Sequence, residues 1–378
     1  MRILTAGESH GECLSAIIEG FPKGVRIEQD FIDQELKRRM SGVGRGRRMA
    51  IESDKAEIVS GLRNKITLGS PITILVRNKD VKIFSQNKDE LPILSIPRPA
   101  HADLSGALKY NESDIRNILE RASARETASR VCAGAVCKQF LLNFNIDIAS
   151  FTVGVGSVIS DVKPKTVSEI KTKVKSSQLN SIDPKKEKLM ISEIKKIEEE
   201  KDSLGGIIEI WIEGMPVGIG SFMDYKARLD AKLAYYLMGI PAVKSVEVGL
   251  GFNYGKARGS VSHDEIYYSK TKGFYRESNN SGGIEGGIST GEPIVLRIAM
   301  KPIATLRRPL NSVNLITKKA EKAIVERSDT CAIAACAVIA ENMAAIAVME
   351  SFLDKFGSDT LSEIKTAYRA YAKNLDNL

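Results

Sequence analysis

Apolar residues recur at every second position in four short runs, 16–18, 72–76, 207–212 and 294–299, with turn-forming residues between many of them. A period of two puts side chains on one face of a strand, so these runs predict half-buried β-strands. A period near 3.6 predicts helices over 29–40, 124–144, 184–201, 227–238 and 332–352. Asp183 followed by Pro184 is a helix start, because the carboxylate accepts from the first free N–H groups and proline presets φ. Lysines and glutamates surround Leu189, Ile194 and Ile197 there, so 163–201 reads as a charged helical surface excursion and not as a nucleic-acid arm. The 332–352 helix is apolar on nearly every face, yet Glu341, Asn342 and Glu350 interrupt it, which predicts a buried core helix in place of a membrane span. No repeat, long linker or composition break divides the chain, and strands do not alternate regularly with helices; the expectation is one α+β domain over 1–378.

Composition adds little to this. At 378 residues, 43% hydrophobic and 27% charged, the chain can bury a substantial core. The amino terminus lacks the basic-then-apolar layout of a secretory signal, so a cytoplasmic location is expected. The 5 cysteines are odd in number and none has the spacing of a zinc or redox pair; Cys132, Cys137, Cys331 and Cys336 fall in alanine-rich helical runs, where a thiol behaves as a small apolar group. The 3 histidines, His10, His101 and His263, never stand four apart, which argues against a histidine metal site. The net charge of +8 points to anionic partners without choosing among nucleic acid, a membrane surface and a small polyanion.

Candidate chemistry gathers in six segments. The run from Gly7 to Gly11 sets Ser9 beside His10 between glycines, which suits a proton-transfer element or an ordinary structural loop. Arg38, Arg39, Arg45, Arg47 and Arg48 cluster around Gly42, Gly44 and Gly46, as an anion-wrapping loop or a solvated one. Arg98 and Asp103 flank His101 behind Pro97 and Pro99, which allows acid–base work or a buried, satisfied imidazole. Ser123 and Glu126 have the spacing of a capping box, and Arg121 and Arg125 flank that helix start as an anion cradle. Glycines from Gly282 to Gly287 permit close backbone approach or a simple turn but lack the dinucleotide fingerprint. Lys301 to Thr305 ends a predicted strand, and Asp329, after Arg327 and Ser328, either caps the long apolar helix or does chemistry.

In this order the blocks Gly7–Gly11, Arg98–Asp103, Arg121–Thr127, Lys301–Thr305 and Arg327–Cys331 resemble the signature of the chorismate synthase family, over Arg2 to about Phe352. The resemblance implies a fold of helices sandwiched between antiparallel sheets, a homotetramer, and elimination of phosphate from 5-enolpyruvylshikimate 3-phosphate to give chorismate. It also implies reduced FMN as cofactor, without net redox change. By resemblance His10 protonates the departing phosphate, and His101 places a proton on the reduced flavin. Asp329 acts with the flavin in removing the substrate proton, with Ser9 and Ser123 as hydroxyl relays. Arg39 and Arg45 match positions for anionic substrate or NADP. Arg121, Ala122, Ser123, Pro241, Ala242, Gly286, Lys301, Pro302, Ile303, Ala304, Thr305 and Arg327 match flavin-contacting positions. The chain departs from the pattern at Ala100 and Arg47, where glycine is common, and at Ser328 and Thr330, where His and Pro are frequent. No metal, nucleic-acid or membrane partner is expected. The competing readings are a flavin reductase, which would consume NADPH, and a basic nucleic-acid-binding protein, which would show steep salt dependence.

Overall fold

A computed structural model describes residues 1–45, 54–79, 81, 92–325 and 329–375. The chain opens with β1 (Arg2–Ala6), β2 (Cys13–Glu19), α1 (Gln29–Met40), β3 (Ala56–Ser60) and β4 (Ile72–Arg77). The four strands pair antiparallel in the order β1-β2-β4-β3. Their alternation does what a period of two requires: Leu14, Ala16 and Ile18 with Ile72, Ile74 and Val76 are buried, while Ile17 points outward.

Helices α2 (Asp103–Tyr110), α3 (Arg116–Ala122) and α4 (Thr127–Leu141) lead to the second sheet. It is built from β5 (Asp147–Val155), β6 (Val158–Ile159), β7 (Gly206–Glu213), β8 (Val243–Val248) and β9 (Ile294–Met300), antiparallel in the order β8-β9-β7-β5-β6. Between β6 and β7 lie α5 (Val167–Val174) and α6 (Pro184–Glu199), and α7 (Leu229–Met238) precedes β8. The chain continues with α8 (Ile333–Phe356) and α9 (Leu361–Leu375). Helix α4 packs on β2 and β4, α8 packs on β5 and β7, and α1 touches both helices. This is the expected α+β architecture, with helices between two antiparallel sheets. Of the most apolar stretch of α8, 94% is buried within the protein.

Asp183 caps α6 as expected, accepting from the backbone N–H of Lys185 and Lys186. Only Met190 and Ile194 of α6 are buried, and Leu189 is exposed. Strand β5 escaped the periodicity because both its faces are covered: Ile148 and Val155 join the main core, while Ala149, Phe151 and Val153 pack under Val167 and Ile170 of α5. Such a strand reads as a continuous apolar run. The predicted 124–144 helix is broken at each end into a single tight turn, Ala124–Glu126 and Leu142–Phe144, around α4.

The helical layer carries a buried charge cluster. Glu341 of α8 accepts from Arg38 Nη1 and Nη2 at 2.9 and 2.8 Å, from Lys138 Nζ at 2.8 Å, and from the Ser150 N–H and hydroxyl at 3.0 Å each. Glu35 of α1 takes further bonds from Arg38 at 2.6 Å, Lys138 at 2.9 Å and Asn342 at 2.8 Å. Two carboxylates and two cations thus balance. Burial opposes the ionisation of Glu341, yet Arg38 and Lys138 outweigh it and hold its carboxyl far below the usual range.

Helices α4 and α8 approach so closely that a Cβ added at Gly134 would lie 2.4 Å from both Cβ and the carbonyl oxygen of Asn342. Gly134→Ala should therefore destabilise the protein by about 1–3 kcal/mol through forced separation of the two helices. Urea unfolding measures it; an unchanged midpoint would show that the helices part freely.

Candidate functional site

The Ser9–His10 loop is fastened to α3. Gly7 turns the chain at φ +102°, where a Cβ would strike the Cys13 carbonyl oxygen at 2.2 Å. The Glu120 carbonyl accepts from Ser9 N–H at 3.1 Å. The Glu120 carboxylate accepts from the His10 N–H at 2.8 Å and meets His10 Nδ1 at 2.7 Å. A carboxylate can only accept, so Nδ1 carries the hydrogen and Nε2 is left for chemistry. Arg121 binds the Gly7 carbonyl at 3.1 Å and the Thr5 carbonyl and hydroxyl at 2.9 and 2.7 Å. The hydroxyl of Ser123 donates to that of Ser9 at 3.2 Å, so the two sequence-predicted relay serines meet.

Ser123 also caps the Ala124–Glu126 turn by accepting from the Arg125 N–H. The capping box is only half formed, because Glu126 turns to Arg130, with bonded atoms 3.0 Å apart. Nor is Arg125 an open anion cradle: its guanidinium grips both oxygens of the buried Asp54 at 2.7 and 2.6 Å and the Asn78 side-chain oxygen at 3.0 Å. Asn78 in turn donates to the carbonyls of Glu8 and Gly11 at 3.1 and 2.7 Å, closing the loop around His10.

Arg39 projects from the last turn of α1 to the Thr127 hydroxyl and the Ala124 carbonyl at 2.9 Å each, with Asp54 at 3.7 Å. Burial pulls its pKa down to about 10; Asp54 opposes this, and Arg45 and Arg125 push it further down. Arg39 is still protonated at neutral pH, because Asp54 offsets the repulsion from Arg45 and Arg125. Arg45 pairs with Asp329 at 2.9 Å. The two loops are laced together where the Gly44 carbonyl accepts from Thr330 N–H at 2.8 Å and Cys331 N–H at 3.3 Å. Asp329 therefore does not cap α8, whose first flanking residue is Ala332 with no side-chain cap. Arg47, Arg48, Arg327 and Ser328 lie outside the described residues.

His101 has the same anchorage as His10. Its Nδ1 lies 2.5 Å from Asp103, and Arg98 holds that carboxylate through its backbone N–H at 3.0 Å, its Nε at 2.8 Å and its Nη2 at 3.1 Å. Arg98 Nη2 also comes within 3.2 Å of His101 Nδ1, but both are donors once Nδ1 serves Asp103, so this is an approach and not a bond. Arg98 Nη1 reaches the Thr305 hydroxyl at 3.0 Å. Burial resists ionisation of Asp103, but the bonds from His101 and Arg98 outweigh it and hold the carboxyl well below the usual range.

The Lys301 ammonium donates to the Ala100 carbonyl, and Lys301 N–H donates to the Ala242 carbonyl at 2.9 Å, which joins the Pro241–Ala242 turn to the end of β9. Burial, helped by Lys244, pushes the Lys301 pKa down. Ala100 and Ala242 have φ of +61° and +73°. The Ile303 carbonyl accepts from the Ser203 hydroxyl at 2.8 Å. Gly286 lines a cavity of about 410 Å³ with Tyr254, His263, Asp264, Ser281 and Glu285. Among the described residues, no group of three or more His, Cys, Asp or Glu side chains is arranged to hold a metal.

Sequence reasoning missed Glu120, Asp54 and Asn78. Their partners are 110, 71 and 47 residues away, and no local spacing signals such pairs.

Two imidazoles held through Nδ1 on buried carboxylates, among arginines, are the equipment of an enzyme that moves protons on an anionic molecule. The family model for chorismate synthase matches residues 1–353, and the chain belongs to that family. A chorismate synthase of Alkaliphilus metalliredigens is 48% identical over 376 residues, spanning 98% of this chain and 99% of the other. One from Thermoanaerobacter pseudethanolicus is 48% identical over 378 residues and 100% of both chains. A crystal structure of chorismate synthase superposes with a TM-score of 0.82 at 39% identity, covering 100% of this chain and 98% of that one. The protein is accordingly a lyase of the shikimate pathway.

Because the Asp103 carboxyl is depressed in the fold, its contribution to stability is complete above the unfolded value near 4 and is lost as pH falls below it. Asp103→Asn should be less stable than wild type at neutral pH, and the gap should narrow in acid. Urea midpoints between neutral pH and about pH 3 measure this; parallel profiles would refute the ion-pair account.

Proposed function

We propose that this chain eliminates phosphate from 5-enolpyruvylshikimate 3-phosphate to form chorismate, with reduced FMN bound and no net redox change. The observation that carries this reading is the matched anchorage of His10 and His101, each leaving Nε2 for proton transfer. His10, its ring positive once Nε2 has taken up a proton from solvent, gives that proton to the departing phosphate, which would otherwise leave as a more highly charged anion. The contact between Ser123 and Ser9 joins that loop to the tight turn that leads into α4. Asp329, held by Arg45, takes the substrate proton, and Arg39 and Arg45 bind the substrate's anionic groups or the phosphates of NADP.

The donor set fits a flavin mononucleotide. A partly desolvated ammonium at Lys301 suits a phosphate, and the left-handed turns at Ala100 and Ala242 bring their carbonyls to Lys301. Arg121, Ala122, Ser123, Pro241, Ala242, Gly286, Lys301, Pro302, Ile303, Ala304, Thr305 and Arg327 would hold it, with His101 supplying a proton to the reduced ring. Held there, reduced FMN would supply transient electron density for the elimination. The active form is a cytoplasmic homotetramer in which residues 1–378 make one domain, acting on a small molecule without nucleic-acid or membrane partners.

Anaerobic incubation with 5-enolpyruvylshikimate 3-phosphate and chemically reduced FMN should release phosphate and chorismate in equal amounts; folded protein that yields neither would refute the proposal. His10→Ala and His101→Ala should each lower kcat by about 10²- to 10⁴-fold, the usual worth of a positioned acid or base, in protein that still folds; His10→Ala should also lower the urea midpoint, because it strips the buried Glu120 carboxylate of its ring partner. A large stability loss with normal turnover would assign both histidines to the core.

A further inference from the structure

Glu120 is a buried carboxylate with no assigned part in the chemistry. Its side chain is 2% exposed, against 21% for that of His10. Its side-chain hydrogen bonds, among the described residues, go to one residue: Oε2 accepts from the His10 backbone N–H and Oε1 from the ring Nδ1–H. Its own carbonyl takes the Ser9 N–H, so a single residue of α3 makes three bonds to two consecutive residues of the loop. The neighbouring Arg121 fastens Thr5 and Gly7, which leaves α3 as the mould in which the loop is set.

Asp103 gives a useful contrast. It shares its carboxylate between His101 and Arg98, so much of its charge is answered by a guanidinium. Glu120 directs its charge at His10. A buried carboxylate in this position fixes the tautomer and the plane of an imidazole, and it stabilises the positive ring formed when Nε2 takes up a proton.

We propose that Glu120 is the positioning residue of His10, holding it as the Nδ1–H tautomer with Nε2 as the working nitrogen. This rests on the assignment of His10 as the phosphate-protonating acid. Its physical core, the tautomer, is measurable without any turnover.

Glu120→Gln separates the alternatives because it is nearly isosteric. The His10 backbone N–H can only donate, so the amide oxygen must face it and the amide NH₂ must face the ring. Nδ1 is then forced to become an acceptor, and the hydrogen moves to Nε2. Imidazole ¹⁵N spectra of histidine-labelled protein at alkaline pH, where neutral rings dominate, contain only His10, His101 and His263. Wild type should show His10 protonated on Nδ1, and Glu120→Gln should show it protonated on Nε2 with His101 unchanged. The variant's kcat should fall at least about tenfold while the substrate KM stays within about threefold, since a neutral amide no longer stabilises the positive ring whose Nε2–H is the acid in the transition state.

An Nε2–H tautomer in wild type, or an unaltered tautomer in the variant, would overturn the proposal whether or not the variant folds well. So would an inverted tautomer with unchanged kcat. Wild type that shows the Nδ1–H tautomer but forms no chorismate would sink the reaction assignment and leave the anchorage standing.

Discussion

The placing of α1 depends on the Glu35–Arg38–Lys138–Glu341 cluster, and much of the site depends on α1. Burying one unpaired charge costs several kcal/mol, so the arrangement is stable only when both carboxylates and both cations are present and bonded. That requirement ties α1, α4, α8 and, through Ser150, β5 into one mutual geometry. Apolar packing alone would let helices rotate or slide against one another; a bidentate guanidinium does not. Once Arg38 is committed to Glu341, a residue one step further along the helix must emerge about 100° around it. Arg39 occupies that place, facing Thr127, Ala124 and Asp54.

The candidate site is thus held by rigid elements even where its reactive groups lie on loops. Arg39 belongs to α1, Glu120 and Arg121 to α3, and Ser123 caps the tight turn that leads into α4. The loops that carry Ser9, His10, Arg45 and Asp329 are fastened by polar bonds to those helices and to one another. Asp54 and Asn78 perform this service inside the protein, engaging Arg125 on two sides. A loop fastened at several backbone positions loses little entropy when a substrate binds, which favours pre-organised catalysis.

What the sequence disclosed followed from how local each signal was. Strands β2, β4, β7 and β9 and helices α1, α6, α7 and α8 were legible because their burial follows one period along the chain. Strand β5 was not, since its two faces answer to different cores and the alternation vanishes. Strand β1 was missed too, being short and alternately exposed and half-buried. The Asp103 anchor of His101 could be glimpsed from its spacing, whereas the equivalent anchor of His10 lies 110 residues away and is created only by folding. The relay serines were adjacent only through family resemblance; their hydroxyls meet across 114 residues.

The departures from the family pattern are intelligible as backbone events. Ala100 stands in the left-handed region at φ +61°, a conformation that costs an L-residue about 1–2 kcal/mol and that glycine adopts freely. The strain is tolerated because both ends of the peptide are held, by the His101 N–H on the Arg98 carbonyl and by the Lys301 ammonium on the Ala100 carbonyl. Thr330 has the opposite effect. A proline there would lack the N–H that reaches Gly44, so this chain gains a bond between the Arg45 and Asp329 loops that a proline-bearing relative cannot make. The turn after Asp329 is therefore restrained here by backbone hydrogen bonds to Gly44, beside the Arg45–Asp329 ion pair, where proline would restrain it by ring stiffness.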